Sequence, residues 1–375
     1  MRDDDVLLSW QPAPGHGEEV LYALDGPLGR VRLNRPRAIN ALDRASIDSL
    51  HQQLQAWADE DQVVAVVLDG AGERGLCAGG DVRALREAIL EGREQEAVDY
   101  WEAEYAVDAL VASYPKPYVA WMDGIVMGGG VGVSAHGSVR LVTENTQLAM
   151  PETIIGFFPD VAGLHPLSRA PGETGTHVAL TGAPVGGADA VLLGMADALV
   201  PSASKGDVLA ALRADPTLDA AGLASVVGGT GHTEGSSRPA PTPTEHPSRP
   251  DPTSWLEQQR DWIDACYVGE DAAAILERLR ERPEPEAQEA ADLVAARSPH
   301  SVAVALEALR RAATMSVEQV LAQDLRLGPV FASHPDFAEG VRAQLVDKDR
   351  RPRWQHESVA DVPREEVLAA FGDRA

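Results

Sequence analysis

Apolar and polar positions follow a period that changes several times along the chain. Residues 1–18 are polar and predict a flexible N-terminal tail. From Val20 to Leu33 the two kinds of position alternate, broken by Asp25-Gly26-Pro27, which is the pattern of a β-hairpin. Behind Asp43, a good N-cap, Ile47, Leu50, Leu54 and Trp57 recur every three or four residues, so a helix there turns one apolar face to a core. Residues 63–68 form a continuous apolar run, as in a strand covered on both faces, and end at Asp69-Gly70-Ala71-Gly72. Residues 118–126 predict another strand, running into Gly128, Gly129, Gly130 and Gly132, and residues 139–143 a third. Strands separated by helical stretches make an α/β layered fold that binds ligands at strand ends.

Between residues 228 and 254 Gly, Ser, Thr, Pro, Glu and Arg displace nearly every large apolar residue, the composition of a linker or surface loop. Helical periodicity returns at 255–267, 272–279 and 302–313, so 255–375 reads as a helical region appended to a core spanning 19–227. With 375 residues, 44% of them apolar, the chain can bury a large core. Its formal charge of -26 repels polyanions and argues against nucleic acid and anionic membranes as partners, while leaving room for a homo-oligomer. Two cysteines, no apolar run of spanning length and an acidic start, Met1-Arg2-Asp3-Asp4-Asp5, predict a cytoplasmic protein.

Three segments could carry chemistry. In Cys77-Ala78-Gly79-Gly80-Asp81 the glycines let a backbone N–H approach a ligand at the start of a helix, or else form an ordinary turn capped by Asp81. The glycines at 128–132 offer a second N–H of the same kind, and two converging donors make an oxyanion hole. The same cluster fits a dinucleotide fingerprint at Gly130, Gly132 and Ala135, but the acidic partner expected some twenty residues on is not evident. Ser134 lacks the second glycine of a nucleophile elbow and reads as structural. In the third segment Glu152 and Asp160 each stand beside proline in apolar surroundings, which raise carboxyl pKa values and suit acid/base or nucleophilic work. A salt-bridged Glu152 and a helix-capping Asp160 are the plainer alternatives. His136, His165 and His177 show no ligand spacing, so no metal is expected, and Tyr100, Trp101 and Tyr105 read as packing residues.

Taken in order, Leu33-Asn34-Arg35-Pro36 with Asn40-Ala41-Leu42, Cys77-Ala78-Gly79-Gly80-Asp81, Met127-Gly128-Gly129-Gly130 and Pro151-Glu152 resemble the crotonase family over nearly the whole chain. The resemblance implies a spiral ββα core, an acyl-CoA substrate and no cofactor beyond the CoA that the substrate carries. It implies that the N–H groups of Gly80 and Gly129 hold the thioester oxygen, that Gly128 and Asp81 lie at the substrate, and that Arg35, Arg37 and Ala38 lie near the adenine. Hydratases of the family carry a catalytic glutamate where this chain has Gly132. The run Met150 to Val161 is instead similar to 3-hydroxyisobutyryl-CoA hydrolases, which implies catalytic roles for Glu152 and Asp160 and a substrate contact for Glu104. Ala162 and Leu164 depart from glycines usual in that subfamily. The expectation is hydrolysis of a short β-hydroxyacyl-CoA, as in valine breakdown. The alternatives are an enoyl-CoA hydratase or isomerase and a non-catalytic CoA-binding scaffold.

Overall fold

The computed structural model describes residues 8–231 and 253–372. The alternating segment folds as β1 (Val20–Asp25) and β2 (Leu28–Leu33), paired antiparallel with Val20 opposite Leu33. Asp43 accepts the Ser46 N–H and so caps α1 (Arg44–Ala58), whose Ile47, Leu50, Leu54 and Trp57 are buried as their spacing predicts. Next come β3 (Ala65–Gly70), β4 (Gly75–Cys77), α2 (Val82–Leu90) and the long α3 (Glu94–Ala112).

The single strand expected over 118–126 is two strands, β5 (Tyr118–Met122) and β6 (Ile125–Met127), in different sheets. The chain changes sheet at Gly124, where φ is 69° and a Cβ would lie 2.7 Å from the Arg74 carbonyl oxygen. Then follow α4 (Gly129–Ala135), β7 (Val139–Val142), β8 (Gln147–Ala149), α5 (Leu164–Leu167), α6 (Thr174–Thr181) and α7 (Gly187–Leu192). The core closes with β9 (Ala198–Leu199), α8 (Lys205–Ala214), α9 (Ala220–Val227) and β10 (Thr230–Gly231).

Seven strands form one sheet in the order β1-β2-β3-β5-β7-β9-β10, and β4-β6-β8 form a second. The pairs from β2 to β9 and those of the small sheet are parallel, while β1 and β10 pair antiparallel at the edges. Three successive units each send one strand to the large sheet and the next to the small one: β3 then β4, β5 then β6, β7 then β8. This is the ββα spiral expected of a crotonase-like fold.

Helices make up most of the last third: α10 (Trp255–Gln258), α11 (Arg260–Cys266), α12 (Ala272–Glu281), α13 (Pro285–Ala296), α14 (Pro299–Ala312), α15 (Val317–Ser333), α16 (Pro335–Val341) and α17 (Arg364–Ala370). The stretch 255–267, read as one helix, breaks at Gln259. α15 packs along α3, and α16 lies against α2, so this region wraps the core.

Two sequence boundaries move. The tail expected to 18 is ordered in its second half: Gln11 and Tyr22 exchange both backbone hydrogen bonds, at 2.9 and 2.8 Å, and the Arg32 guanidinium lies 4.3 Å from the Trp10 ring centre. At the other end, Thr230 and Gly231 pair with β9, so the core extends past 227. The rest of the predicted linker, 232–252, lies outside the described residues.

Candidate active site

Two glycine turns at the ends of β4 and β6 lie against each other. Gly79 has φ 104°, and a Cβ there would sit 3.4 Å from the Met127 carbonyl oxygen and 3.8 Å from the Gly129 nitrogen. Leu42 bridges this turn through neighbours of Gly80, giving its N–H to Gly79 O at 2.9 Å and taking the Asp81 N–H at 2.8 Å. Among the described residues the Gly80 N–H itself has no hydrogen-bond acceptor. Gly129 opens α4, where a first-turn N–H has no intrahelical partner. The two adjoining turns thus each carry a backbone N–H without an intrahelical or turn acceptor, the kind of donor an oxyanion takes.

Side chains explain why these positions are glycine. The Tyr100 hydroxyl would lie 2.6 Å from a Cβ at Gly80, and Glu152 Oε1 would lie 3.0 Å from one at Gly128, while the Glu104 carboxyl fills the Cβ position of Gly129. Glu152 opens the 3₁₀ turn Glu152–Ile155, and Asp160 follows eight residues later; both are buried. Trp101 stacks on Phe157 at 4.9 Å, and Phe331 and Phe337 pack on the same ring at 5.3 and 5.4 Å, so α3, α15 and α16 hold the segment between the two acids.

The carboxyl groups have little to neutralise them. Asp160 Oδ2 accepts the Tyr105 hydroxyl at 2.7 Å, while Glu152 Oε2 and Glu104 Oε1 have no partner among the described residues. Burial pushes Asp160 up to about 7, although the Tyr105 hydrogen bond pulls the other way. Glu152 and Glu104 rise well above the carboxylate range, first by burial and then by the charge of Asp160. Tyr105 therefore does more than pack, contrary to the sequence reading.

Two further acids lie behind these. Asp108, one helical turn after Glu104, is fully buried, and neither of its oxygens has a partner among the described residues. Its Oδ1 would lie 2.5 Å from a Cβ at Gly132, so a carboxyl from α3 roofs the residue that stands where hydratases carry their glutamate. Asp324 reaches in from α15 and accepts the Ala162 N–H at 2.9 Å. Burial raises both well above the usual range. Asp108 left a signal, an acid at i+4 from Glu104 on a helix face shared with Trp101 and Tyr105; Asp324 left none.

Asp160 also begins a turn. Its carbonyl accepts the Gly163 N–H at 2.8 Å, and the central residues Val161 and Ala162 have φ 51° and 54°. Positive φ at both places defines the type I′ class, which Gly, Asn and Asp dominate. Valine and alanine there each cost on the order of 1–3 kcal/mol. The glycine expected at 162 is thus a request for left-handed backbone, which this chain meets with alanine. His136 Nε2 donates to the Val161 carbonyl at 2.7 Å, and burial lowers that histidine to about 4, so it is neutral near pH 7.

A family model for enoyl-CoA hydratase/isomerase matches residues 28–371 of this chain. The chain belongs to that family. A solved structure titled a carnitinyl-CoA dehydratase from Mycobacterium thermoresistibile is 44% identical, covers 95% of this chain and 96% of its own, and superposes with a TM-score of 0.83. A structure titled an enoyl-CoA hydratase from Rhodobacter sphaeroides 2.4.1 is 35% identical over 94% and 97%, with a TM-score of 0.82. The rat protein named mitochondrial 3-hydroxyisobutyryl-CoA hydrolase is 36% identical over 99% of this chain and 94% of its own. Its human counterpart is 35% identical over 94% and 88%. These mitochondrial relatives overturn the cytoplasmic expectation. That expectation rested on the acidic start and the lack of a spanning apolar run together with cysteine use, which fits any reducing compartment.

For this member of the enoyl-CoA hydratase/isomerase family the remaining predicted residues fall at the rim. Asp81 makes no side-chain cap on α2 and pairs with Arg35 at 3.2 Å. Arg37 and Ala38 stand on the exposed turn Pro36–Ala38, outside the carboxyl cluster, and the next residue gives its carbonyl to the Ala78 N–H at 2.9 Å. Asn40 is buried at φ 54° and donates its amide to the carbonyls of Ala71, Gly75 and Leu76, which fixes that rim to β4. Ser134 bonds Gly130 O, a structural role.

Away from the site, His300, His334 and Glu366 bring possible ligand atoms together, a grouping that sequence spacing hid. His300 and His356 both bond Glu366, at 2.7 and 3.1 Å, and the His300 and His334 rings stack at 4.0 Å and 12°. A metal lies in the plane of each imidazole that binds it, so parallel stacked rings do not share one. The cluster ties α14, α15 and α17 together.

Proposed function

We propose that this protein hydrolyses the thioester of a short β-hydroxyacyl-CoA, with 3-hydroxyisobutyryl-CoA as its substrate. What carries the reading is the pairing of Glu152 with Asp160 at the two glycine turns, while Gly132, roofed by Asp108, has no side chain to transfer a proton. The whole-length similarity to the hydrolases named above supports it.

In this reading the Gly80 and Gly129 N–H groups take up the charge that develops on the thioester oxygen. Glu152 either attacks the carbonyl carbon, expelling the CoA thiolate and leaving a mixed anhydride for water to cleave, or takes a proton from the water that attacks directly. Asp160, oriented by Tyr105, meets the β-hydroxyl or steers that water, and Glu104 bounds the acyl pocket at Gly129. Hydrolysis transfers no electrons, so the reading assigns no cofactor; CoA leaves as product.

A second reading, reversible hydration of an acyl-CoA double bond, is favoured by the titles of the two solved structures. A thiol-trapping assay on 3-hydroxyisobutyryl-CoA separates them. Release of one free thiol per acid formed supports hydrolysis, whereas a change in enoyl-thioester absorbance with no thiol overturns it in favour of hydration. Neither signal would mean a scaffold without turnover.

A further inference from the structure

The turn after Asp160 calls for an explanation that the reaction chemistry does not supply. Val161 and Ala162 both hold left-handed backbone, where β-branched residues are outliers. Left to itself a Val-Ala pair would relax to a right-handed turn and carry the preceding carboxyl elsewhere. Two side chains from outside the loop oppose this. His136, the residue that closes α4, donates to the Val161 carbonyl at 2.7 Å, and Asp324, inside α15, accepts the Ala162 N–H at 2.9 Å.

Asp324 is 162 residues away and fully buried, and its Oδ1 has no partner among the described residues. A buried carboxyl with one backbone N–H as its partner adds little to stability, so its place is explained by what it holds. Resting on the reading of Asp160 given above, we infer that Asp324 and His136 are positioning residues that lock residues 160–163 in the left-handed turn and thereby aim the Asp160 carboxyl at the substrate. The helix that begins with the oxyanion donor Gly129 ends at His136, so one short rod sets the spacing between the two halves of the site.

The test compares variants that keep the hydrogen bond with variants that lose it. Asp324→Asn retains an acceptor oxygen and Asp324→Leu does not. With 3-hydroxyisobutyryl-CoA, Asp324→Leu should lower kcat about tenfold or more with KM within about threefold, while Asp324→Asn stays within about threefold of the parent in both. Hydrogen exchange at the Ala162 amide should accelerate in the Leu variant alone. Adding Ala162→Gly to Asp324→Leu should recover kcat several-fold, roughly, because glycine adopts the turn unaided. His136→Leu against His136→Gln, whose amide reaches as far as Nε2, repeats the comparison at a half-buried position and stands even if Asp324→Leu fails to fold. Equal activity of the Leu variants and the parent, equal losses for Leu and the conservative variant, or no rescue by glycine overturns the inference. If Asp160→Asn itself keeps full activity, the reading of Asp160 falls and the positioning role with it. An inactive Asp160→Asn beside active Leu variants overturns the positioning role alone.

Discussion

In the proposed reading Glu152 and Asp160 divide the work, so their amides should fail differently. Glu152→Gln replaces the carboxylate beside Gly128 by an amide that neither attacks nor takes a proton, and kcat should fall on the order of a hundredfold or more with acyl-CoA binding nearly intact. Retention of most of kcat would remove Glu152 from the chemistry. Asp160→Asn should cost more on 3-hydroxyisobutyryl-CoA than on an acyl-CoA lacking the hydroxyl if the carboxyl recognises that group, and equally on both if it handles water. Because burial raises Asp160 to about 7, kcat/KM should climb with pH toward a plateau above neutrality, and Asp160→Asn should move that limb. A profile flat from pH 5.5 to 8.5 would show that no carboxyl of the cluster titrates in the rate-limiting path. At Gly132 a new glutamate should not restore hydration, because its Cβ would already press on Asp108 Oδ1 at 2.5 Å. Overpacking there should instead cost about 1–3 kcal/mol, seen as a lowered Tm.

Local periodicity revealed the elements that local periodicity determines. α1 was legible because one face is buried and its spacing records that fact, β3 because burial of both faces makes a continuous apolar run, and the β1–β2 hairpin because Asp25-Gly26-Pro27 breaks its alternation. The division of 118–126 into β5 and β6 was not, since both strands are apolar and only Asp123-Gly124, where the chain changes sheet, interrupts them. The two glycine turns and the buried Glu152–Asp160 pair were legible as an ordered set of motifs, each ambiguous alone. Tyr105 was misread because its ring packs while its hydroxyl works, and a sequence shows only that it is aromatic. Asp324 and His136 were out of reach, because they act across 162 and 25 residues on a backbone conformation that no pattern announces.

Over the whole molecule, the buried acids make stability depend on pH in an unusual direction. Glu104, Asp108, Glu152 and Asp324 have raised pKa values in the folded chain, so above the ordinary carboxyl range the unfolded chain binds fewer protons and stability falls as pH rises. Half-buried His136 and buried His177, both lowered to about 4, act oppositely and withdraw stability as pH falls below about 6.5. Above about pH 6.5, where both histidines are neutral in either state, the urea midpoint should therefore decline toward pH 9. Asp108→Asn should lessen that decline by up to about 1.4 kcal/mol per pH unit. Salt should not abolish the difference, since it screens the surface charge of an acidic chain but not a buried carboxyl. An unchanged slope in the variant would mean that Asp108 ionises freely. Deleting 232–252, a segment poor in apolar residues, should leave kcat within about twofold, and its loss in a folded variant would assign that segment to the site.

The wall behind Glu152 comes from the far end of the chain: Ser298 N–H bonds Thr153 O at 3.2 Å, Gly340 packs on Ile155, and Asp324 holds Ala162. On the ribosome this order matters. When the first 231 residues have emerged, Glu152 and Asp160 are present with Tyr105 and the glycine turns, but the wall that Ser298, Asp324 and Gly340 supply is not. The C-terminal helices contribute to the burial that raises both carboxyls. Synthesis must thus be nearly complete before this pair of acids is walled in.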